Sequence, residues 1–279
     1  MMIKRILVGI ADATYTGSAT RHAIEIAHRC GASLTGVSIL DIAGIRKEAT
    51  KVPLGGGGYA ADLQKAAFSD AHQSINEAVD RFVRLCEEAG VVYNYQKVGG
   101  DPFLEFIERS KFHDLMICGL HRLFEHGVLP EPKDELAKLV AAGVRPIIAT
   151  AAQYREIKRV LVAYSNSVES AKTMRRFTQL SHLLAPNAEV QIVSFGKKGD
   201  DEPSELLEAQ SYMQAHGIAA EVQFVEGQPR TGVLDHCASW NADMIVMGNS
   251  AKNLLRRQVF GETALHTISN AEVPLFLAQ

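Results

Sequence analysis

Arg5-Ile-Leu-Val-Gly9 returns as Arg159-Val-Leu-Val-Ala163, and this repeat decides the fold of the chain. Three further landmarks recur in the same order: a glycine followed twelve positions later by a proline, an apolar run that ends in glycine, and a short apolar segment that begins with valine. The matching pairs are Gly90–Pro102 with Gly217–Pro229, Asp114–Gly119 with Asp243–Gly248, and Val144–Ala149 with Val273–Ala278. Four landmarks in one order predict two copies of one domain, at residues 1–152 and 153–279.

The composition narrows the class of protein. A chain of 279 residues with 47% apolar residues accommodates two ordinary globular cores. A net charge of −3 gives no overall attraction to nucleic acid or to an anionic membrane, so we expect neither as a partner. No apolar run approaches the roughly 20 residues that span a bilayer, and from the first residues we expect no cleavable signal. With four scattered cysteines and no C-x-x-C pair, we expect a cytoplasmic protein with reduced, mostly buried thiols.

Short β-branched runs alternate with amphipathic stretches in both copies. In the first copy, the predicted strands are 3–10, 33–40, 91–98, 115–119 and 146–150, and the predicted helices are 18–30, 71–89, 102–110 and 134–142. The second copy repeats the order, with strands 157–164, 188–195, 218–225, 243–248 and 273–278, and helices 168–184, 203–216, 229–240 and 261–270. This alternation predicts an α/β fold in which each copy is a five-stranded parallel sheet with helices on both faces.

The first copy carries an insertion. Arg5 and Gly90 are 85 positions apart, whereas their counterparts Arg159 and Gly217 are 58 apart. The extra residues fall within 42–70, which includes the glycine run Gly55–Gly58. This run does not directly join a strand to a helix, and no Lys-Ser/Thr follows it, so we expect a flexible loop over the cleft or a surface excursion rather than a phosphate cradle.

The second copy keeps glycines that suit a bound phosphate. Ligands of parallel α/β sheets lie beyond the carboxyl ends of the strands. Behind the fourth predicted strand come Gly248, Asn249, Ser250 and Ala251, then nine residues that include Lys252, Arg256 and Arg257, and then Gly261, Glu262 and Thr263 at the start of the last helix. Glycine lets the backbone approach a phosphate, and a helix start offers free N–H groups. The basic side chains between them favour an anion.

On these residues the chain resembles a tandem universal stress protein, in which two Rossmann-like domains of the adenine nucleotide alpha hydrolase type follow one another. Nucleotide-binding members of that family carry Gly-x-x-Gly, nine residues, and then Gly followed by Ser or Thr. The resemblance implies a stress-response role and binding of ATP or AMP, with Mg²⁺, in the second domain. It also implies that the phosphates lie on this loop, while an aspartate after the first strand and the backbone at the end of the second strand hold the adenosine.

The family pattern transfers only in part. Gly248 and Gly261 match it, whereas Ala251 stands for the second glycine and Glu262 for the hydroxyl residue, with Thr263 directly after. The aspartate position falls on Ser165, beside Asn166, and the second-strand position falls on Phe195. A carboxylate at position 262 within about 4 Å of a phosphate would repel it by roughly 1 kcal/mol in water, and a bridging Mg²⁺ would reverse that effect. The predicted cofactor-binding residues are Ser165, Asn166, Phe195, Gly248, Asn249, Ser250, Ala251, Gly261, Glu262 and Thr263.

Two interpretations of the second cleft remain open. Either it binds an adenine nucleotide, or the loop persists as a turn that stabilises the fold. In the second case the chain is a nucleotide-free interaction module for a protein, a small apolar ligand or a metal. The first copy is more eroded, because Ala11 holds its aspartate position and Pro130 and Pro132 remove N–H donors.

No catalytic or metal-binding residue is predicted. The histidines His113, His121 and His126 lie near acidic residues, but their spacing does not favour a tetrahedral zinc site. No nucleophile–base pair stands out either, so at most slow hydrolysis of a bound ATP is expected.

The last predicted strand of each copy, 144–150 and 273–278, is short and apolar. Such a strand at a sheet edge needs a partner, and two copies in one chain supply it internally. We therefore expect an intramolecular pseudo-dimer joined through these strands. A further homodimer of the whole chain stays open.

Overall fold

A computed structural model of the chain describes residues 2–11, 13–40, 57–120, 136, 139–140, 146–197, 204–248 and 261–278. Its elements with defined bounds are, in order, β1 (Arg5–Gly9), α1 (Ala13–Cys30), β2 (Ser33–Leu40), α2 (Gly57–Ala89), β3 (Tyr93–Gly99), α3 (Pro102–Ser110), β4 (Leu115–Gly119), β5 (Ile147–Thr150), β6 (Arg159–Ala163), α4 (Val168–Leu184), β7 (Glu189–Gly196), α5 (Ser204–Ala215), β8 (Ala220–Glu226), α6 (Pro229–Ser239), β9 (Met244–Gly248), α7 (Glu262–Asn270) and β10 (Leu275–Ala278).

The ten strands found in the described residues join one sheet, in the order β3-β2-β1-β4-β5-β10-β9-β6-β7-β8. Within each half, every pair of neighbouring strands is parallel. The two halves meet at β5 and β10, which pair antiparallel with Leu275 opposite Ala149 and Leu277 opposite Ile147. The predicted α/β class and the pairing of the two halves through their last strands are therefore confirmed.

Helices cover both faces of the sheet. Successive residues of a strand point to opposite faces, so Ile6 and Val8 pack in one core and Leu7 packs in the other. The first core contains Phe82 of α2 and Phe177 of α4, and the second contains Phe106 of α3. Helices α1, α2, α4 and α5 thus lie on one face, while α3, α6 and α7 lie on the other.

Residues next to the helix ends explain where some of the helices begin or end. Asp101 caps α3, and its carboxylate accepts from the Leu104 N–H at 3.0 Å. Gly31 follows α1 with φ +64°, a left-handed conformation that glycine adopts without strain. Two helix starts were predicted too late, because α1 begins at Ala13 rather than residue 18 and α2 begins at Gly57 rather than residue 71.

The helix α2 corrects the interpretation of the insertion. Residues 57–70 are helical, so the predicted loop is wrong over this part. The alanine-rich segment 60–67 has a high helix propensity, which outweighs the two glycines at the helix start, where glycine is least disruptive. The remainder of the insertion, 42–56, lies outside the described residues.

A polar cluster joins the two halves beside the sheet. The hydroxyl of Tyr154 hydrogen-bonds to the Glu25 carboxylate, and its ring lies 4.8 Å from the His22 ring between centroids. Arg29 donates to the carbonyl oxygen of Leu183 at 2.8 Å. Burial, helped by the charge of Arg29, lowers the pKa of His22 to about 4, while burial raises the pKa of Tyr154. The segment between the halves is thus fixed to α1.

Of the four cysteines, Cys86, Cys118 and Cys237 are buried and Cys30 is half-buried. Among the helices of the described residues, none has the length and apolarity needed to cross a membrane.

Candidate functional site

The carboxyl end of β6 forms a polar turn, residues 164–167, which we call the β6 turn. Ser167 caps α4: its hydroxyl accepts from the Ser170 N–H at 3.1 Å, while the Ser170 hydroxyl accepts from the Ser167 N–H at 3.2 Å. The Ser170 hydroxyl also lies 3.4 Å from the N–H of Ser165. Asn166 has φ +52°, a left-handed conformation that asparagine tolerates better than most residues. The turn is therefore held by its own hydrogen bonds, and Ser165 and Asn166 face solvent.

A carboxylate from another helix reaches this turn. The Asn166 side chain hydrogen-bonds to Glu205, in the first turn of α5. The backbone N–H of Glu205 and the Asn166 side chain, in that order, lower the pKa of this carboxyl group, so it stays charged. Burial, and the nearby Glu205 charge, raise the pKa of Tyr164. No sequence signal pointed to Glu205, because it is distant along the chain and on a different helix.

Gly248 ends β9 directly beside the β6 turn. A Cβ added there would lie 2.6 Å from the carbonyl oxygen of Glu169 and 2.7 Å from the Cα of Ser170. The missing Cβ of Gly248 thus allows the end of β9 to approach the backbone of the first turn of α4. Ser170 contacts both Gly248 and Ser165, so the structure brings these two predicted residues together through a residue that the sequence interpretation did not assign to the site.

The predicted helix start is present at α7. Gly261 is its N-cap residue, with φ −64° and ψ 149°, and as a glycine it has no side chain that could cap the helix. Glu262 is exposed and Thr263 is half-buried in the first turn, while Ala264 and Ile268 anchor the helix in the core. Within the described residues, the first-turn N–H groups of α7 have no side-chain cap, which is the arrangement that suits an anion.

Phe195 lies near the end of β7 and packs against α6. A Cβ on Gly232 would lie 2.5 Å from Cε1 of the Phe195 ring, so only glycine leaves room for the ring there. Part of the ring is buried in the second core. The aromatic side chain therefore has a packing role, and its half-exposed edge is what a ligand would meet.

Asn249, Ser250 and Ala251 lie outside the described residues, as do Lys252, Arg256 and Arg257. Sheet order still constrains the site, because β9 pairs with β6 and places Met247 opposite Ala163. Gly248 and the β6 turn therefore lie at the same edge of the sheet, and the chain returns from this edge into α7.

The first half closes the corresponding edge with apolar residues. Ala11, at the position that matches Ser165, is 4% exposed.

His113 is buried, and its Nδ1 lies 2.7 Å from the carbonyl oxygen of Arg109. Burial lowers the pKa of His113, which favours the neutral ring. His121 and His126 lie outside the described residues, within which no group of histidine, cysteine or acidic side chains is arranged to hold a metal ion.

The fold and the polar edge at β6 and β9 define an α/β protein that consists of two similar halves, each with a parallel sheet. Residues 156–279 match the model of the universal stress protein family. The resemblance of the chain to that family is therefore confirmed, and the family match covers residues 156–279.

Similar proteins agree with this family. Universal stress protein Slr1230 from Synechocystis is 24% identical over 142 residues, which cover 50% of this chain and 49% of that protein. Stress response protein NhaX from Bacillus subtilis is 24% identical over 81 residues, which cover 29% of this chain and 49% of that protein. The chain thus spans about half the length of the curated relatives it matches.

The fold of the whole chain also has solved counterparts. A universal stress protein from Archaeoglobus fulgidus superposes with a TM-score of 0.63 at 17% identity, over 98% of this chain and 96% of that one. A second structure, from Pseudomonas aeruginosa, gives 0.62 at 18% identity, over 99% and 93% of the two chains. At these identities the likeness establishes the fold, including both halves.

Proposed function

We propose that the second half binds an adenine nucleotide, ATP or AMP, at the carboxyl edge of β6, β7 and β9, and that the protein serves a cytoplasmic stress response through this binding. The observation that carries the proposal is the start of α7, which has Gly261 at its N-cap and no side-chain cap, behind β9 of a domain of the universal stress protein family. Free helix N–H groups and the positive end of the helix dipole stabilise a phosphate.

Each predicted residue has a place in this proposal. Gly261 and Thr263 hold phosphate oxygens, together with Asn249, Ser250 and Ala251 on the preceding loop. The β6 turn, with Ser165 and Asn166, and the exposed edge of Phe195 flank the nucleoside. Glu262 would repel a bare phosphate, and its exposure allows it to point away or to approach a bound Mg²⁺.

The domain organisation is part of the same proposal. Residues 1–152 form a domain with an eroded cleft, and residues 153–279 form the nucleotide-binding domain, which is supported by a family match that begins at residue 156. The two domains would act as a pseudo-dimer within one chain, which the pairing of β5 with β10 supports. Any ATP hydrolysis would be slow, since the proposal assigns no general base.

Thermal unfolding with and without nucleotide tests the proposal. ATP with Mg²⁺ at 100 times its Kd should raise the free energy of unfolding by about 2.7 kcal/mol. The variant Gly261→Asp should lose this effect. The extended conformation of residue 261 accepts any side chain, and an aspartate there caps α7 while adding a charge that repels phosphate.

Gly261→Asn is the matched control, since it supplies a cap of the same shape without the charge. We expect Gly261→Asn to keep part of the nucleotide affinity and Gly261→Asp to keep none. Equal binding by wild type and Gly261→Asp would place the nucleotide elsewhere. No response of the wild type to millimolar nucleotide would favour the nucleotide-free interaction module.

A further inference from the structure

The sheet ends at β3 on one side and at β8 on the other. Among the described strands, each of these two has a neighbour on one side only, β2 for β3 and β7 for β8. The side chains of β3 are largely open to solvent: Tyr95 is 48% exposed, and Val92, directly before the strand, is 73% exposed. An edge of this kind offers backbone N–H and C=O groups to a further strand.

The backbone of β3 shows which residues face outward. The carbonyl oxygen of Val92 accepts from the Leu34 N–H at 2.9 Å, so Val92 and every second residue after it direct their backbone groups towards β2. Because these directions alternate along a strand, the N–H and C=O groups of Tyr93, Tyr95 and Lys97 point away from the sheet. The register with β2 is unbroken over all 7 residues of β3, which contain no proline, so neither a bulge nor a missing N–H blocks this edge.

The strand β3 is complementary to a second copy of itself. In an antiparallel pair centred on Tyr95, Tyr95 lies opposite its own copy, and Tyr93 lies opposite Lys97 of the second copy. Both kinds of pair join outward-facing residues, which then exchange their backbone hydrogen bonds. The same register places the exposed Val92 side chain opposite Val98 of the second copy, so apolar surface is covered as well.

The one charged residue of β3 supports this register. Glu87 of α2 accepts from the Tyr93 hydroxyl at 3.0 Å, so a carboxylate lies beside Tyr93. Lys97 of the second copy, opposite Tyr93 and on the same face, would approach that carboxylate, and the two-fold symmetry repeats the contact. Within its own chain, Lys97 donates to the neutral side chain of Asn76 at 2.8 Å, which leaves its charge available for such a pair.

The strand at the other end of the sheet lacks this complementarity. Its sequence contains Glu221 and Glu226 and no basic residue. Two β8 strands side by side would therefore bring acidic side chains of both copies together without a cation between them, and like charges at an edge oppose pairing. The difference between the two ends favours β3 as the strand that pairs.

We propose that two copies of the chain associate through β3, in an antiparallel pair with two-fold symmetry centred on Tyr95. The sheet then continues from one copy into the next, by the arrangement that joins β5 to β10 within the chain. The two-fold axis is perpendicular to the sheet, so the α2 helices of both copies lie on the same face and extend the contact. This surface belongs to the first half, and its association does not depend on the proposed nucleotide site.

Sedimentation velocity of nucleotide-free, full-length protein over a wide concentration series tests the proposal. We expect a monomer–dimer equilibrium. Tyr95→Pro removes an outward-facing N–H from each copy and should weaken dimerisation by about tenfold or more, while an edge strand tolerates proline where the N–H faces solvent. Val222→Pro, at the matching outward position of β8, is the control and should leave dimerisation unchanged.

A charge exchange tests the register without altering the backbone. Lys97→Glu and Glu87→Lys each place like charges opposite one another, and each should weaken dimerisation by about tenfold. An equimolar mixture of the two variants should regain it, because every contact between positions 97 and 87 then joins opposite charges again. Recovery in the mixture also shows that both variants are folded.

Three outcomes would each overturn the proposal: a monomer at every concentration, a dimer that Tyr95→Pro leaves unchanged, and no recovery in the mixture. Filaments that both Tyr95→Pro and Val222→Pro abolish would overturn it as well, since they would show that β3 pairs with β8 in an arrangement that does not close. None of these results bears on nucleotide binding, which is measured by unfolding with and without nucleotide.

Discussion

The carboxyl ends of β1 and β6 have matching backbone hydrogen bonds, but their side chains differ in polarity and exposure. The N–H of Ile10 donates to the Val37 carbonyl at 2.8 Å, and the N–H of Tyr164 donates to the Val193 carbonyl at 2.9 Å. Ile10 and Ala11 are 2% and 4% exposed, whereas the β6 turn is polar and largely open to solvent. Duplicated backbone hydrogen bonds therefore define the fold, and side chains decide which copy keeps an accessible edge.

The largest expected effect comes from filling the contact beside the β6 turn. Gly248→Ala should lower the free energy of unfolding by about 3 kcal/mol, because the new methyl group overlaps backbone atoms of α4. In the first half, the methyl group of Gly9→Ala would lie 3.0 Å from the Phe106 ring. This overlap costs less because the Phe106 side chain can shift, whereas the backbone of α4 cannot. We expect a loss of about 1 kcal/mol there, consistent with Ala163 at the matching position. Urea denaturation of both variants checks the contrast, and equal losses would contradict it.

Next in size is the pH dependence set by His22, which occurs in the first half alone. Its pKa is about 4 in the folded protein and 6.5 when unfolded, so the unfolded chain binds more protons between these values. Stability is fully present above pH 6.5 and falls as the pH drops towards 4, by about 3 kcal/mol for this group.

Urea denaturation from pH 7 to pH 4 measures this contribution. His22→Gln should lose less stability over the range than the wild type, while His182→Gln, at an exposed position of α4, should behave as the wild type. Parallel curves for the wild type and His22→Gln would refute the assignment.

A smaller effect is expected at two tyrosine rings that lie under an arginine, one arginine from each half. Arg21 lies over Tyr154 and Arg175 lies over Tyr212, at 5.8 and 5.9 Å from the ring centroids. Of these two tyrosines, Tyr154 is the one whose hydroxyl donates to a carboxylate of the described residues, that of Glu25. Tyr154→Phe should therefore cost about 1 kcal/mol, and Tyr212→Phe less. Calorimetric unfolding of both variants tests the ranking, which a larger loss for Tyr212→Phe would reverse.

The smallest effect is expected at two asparagines with positive φ, one of which lies in the β6 turn. Asn166 and Asn187 have φ +52° and +61°, so glycine relieves strain at both positions. Asn187→Gly should gain about 0.5 kcal/mol, and Asn166→Gly should gain less because it loses the hydrogen bond to Glu205. Chemical denaturation measures the difference, and a greater gain for Asn166→Gly would show that the bond to Glu205 contributes nothing.

The sequence predicted the fold well because the repeat and the buried strands leave strong patterns. It failed at α2, since glycines at 57 and 58 look like a break although the alanine-rich segment that follows favours a helix. The candidate site was predicted in part. Gly248 was singled out for its missing Cβ, yet its neighbour is α4, and such a long-range backbone contact leaves no local pattern.

Two other residues illustrate the same limit. Glu205 reaches Asn166 only because α4 and α5 pack side by side, and Arg81 contacts Gly17 only because α2 crosses α1. The charge, size and spacing of these residues along the chain do not indicate which distant residues they will contact. Helix starts such as α7, in contrast, follow from nearby residues and were predicted within one position.

The antiparallel pairing of β5 with β10 implies that the chain can be cut and reassembled. Fragments 1–152 and 153–279, expressed separately, would each present one uncovered strand, and we expect the mixture to recombine into a heterodimer detectable by size-exclusion chromatography. Either fragment alone would satisfy the same strand by self-association. The covalent link would then serve mainly to select the unlike partner over the like one.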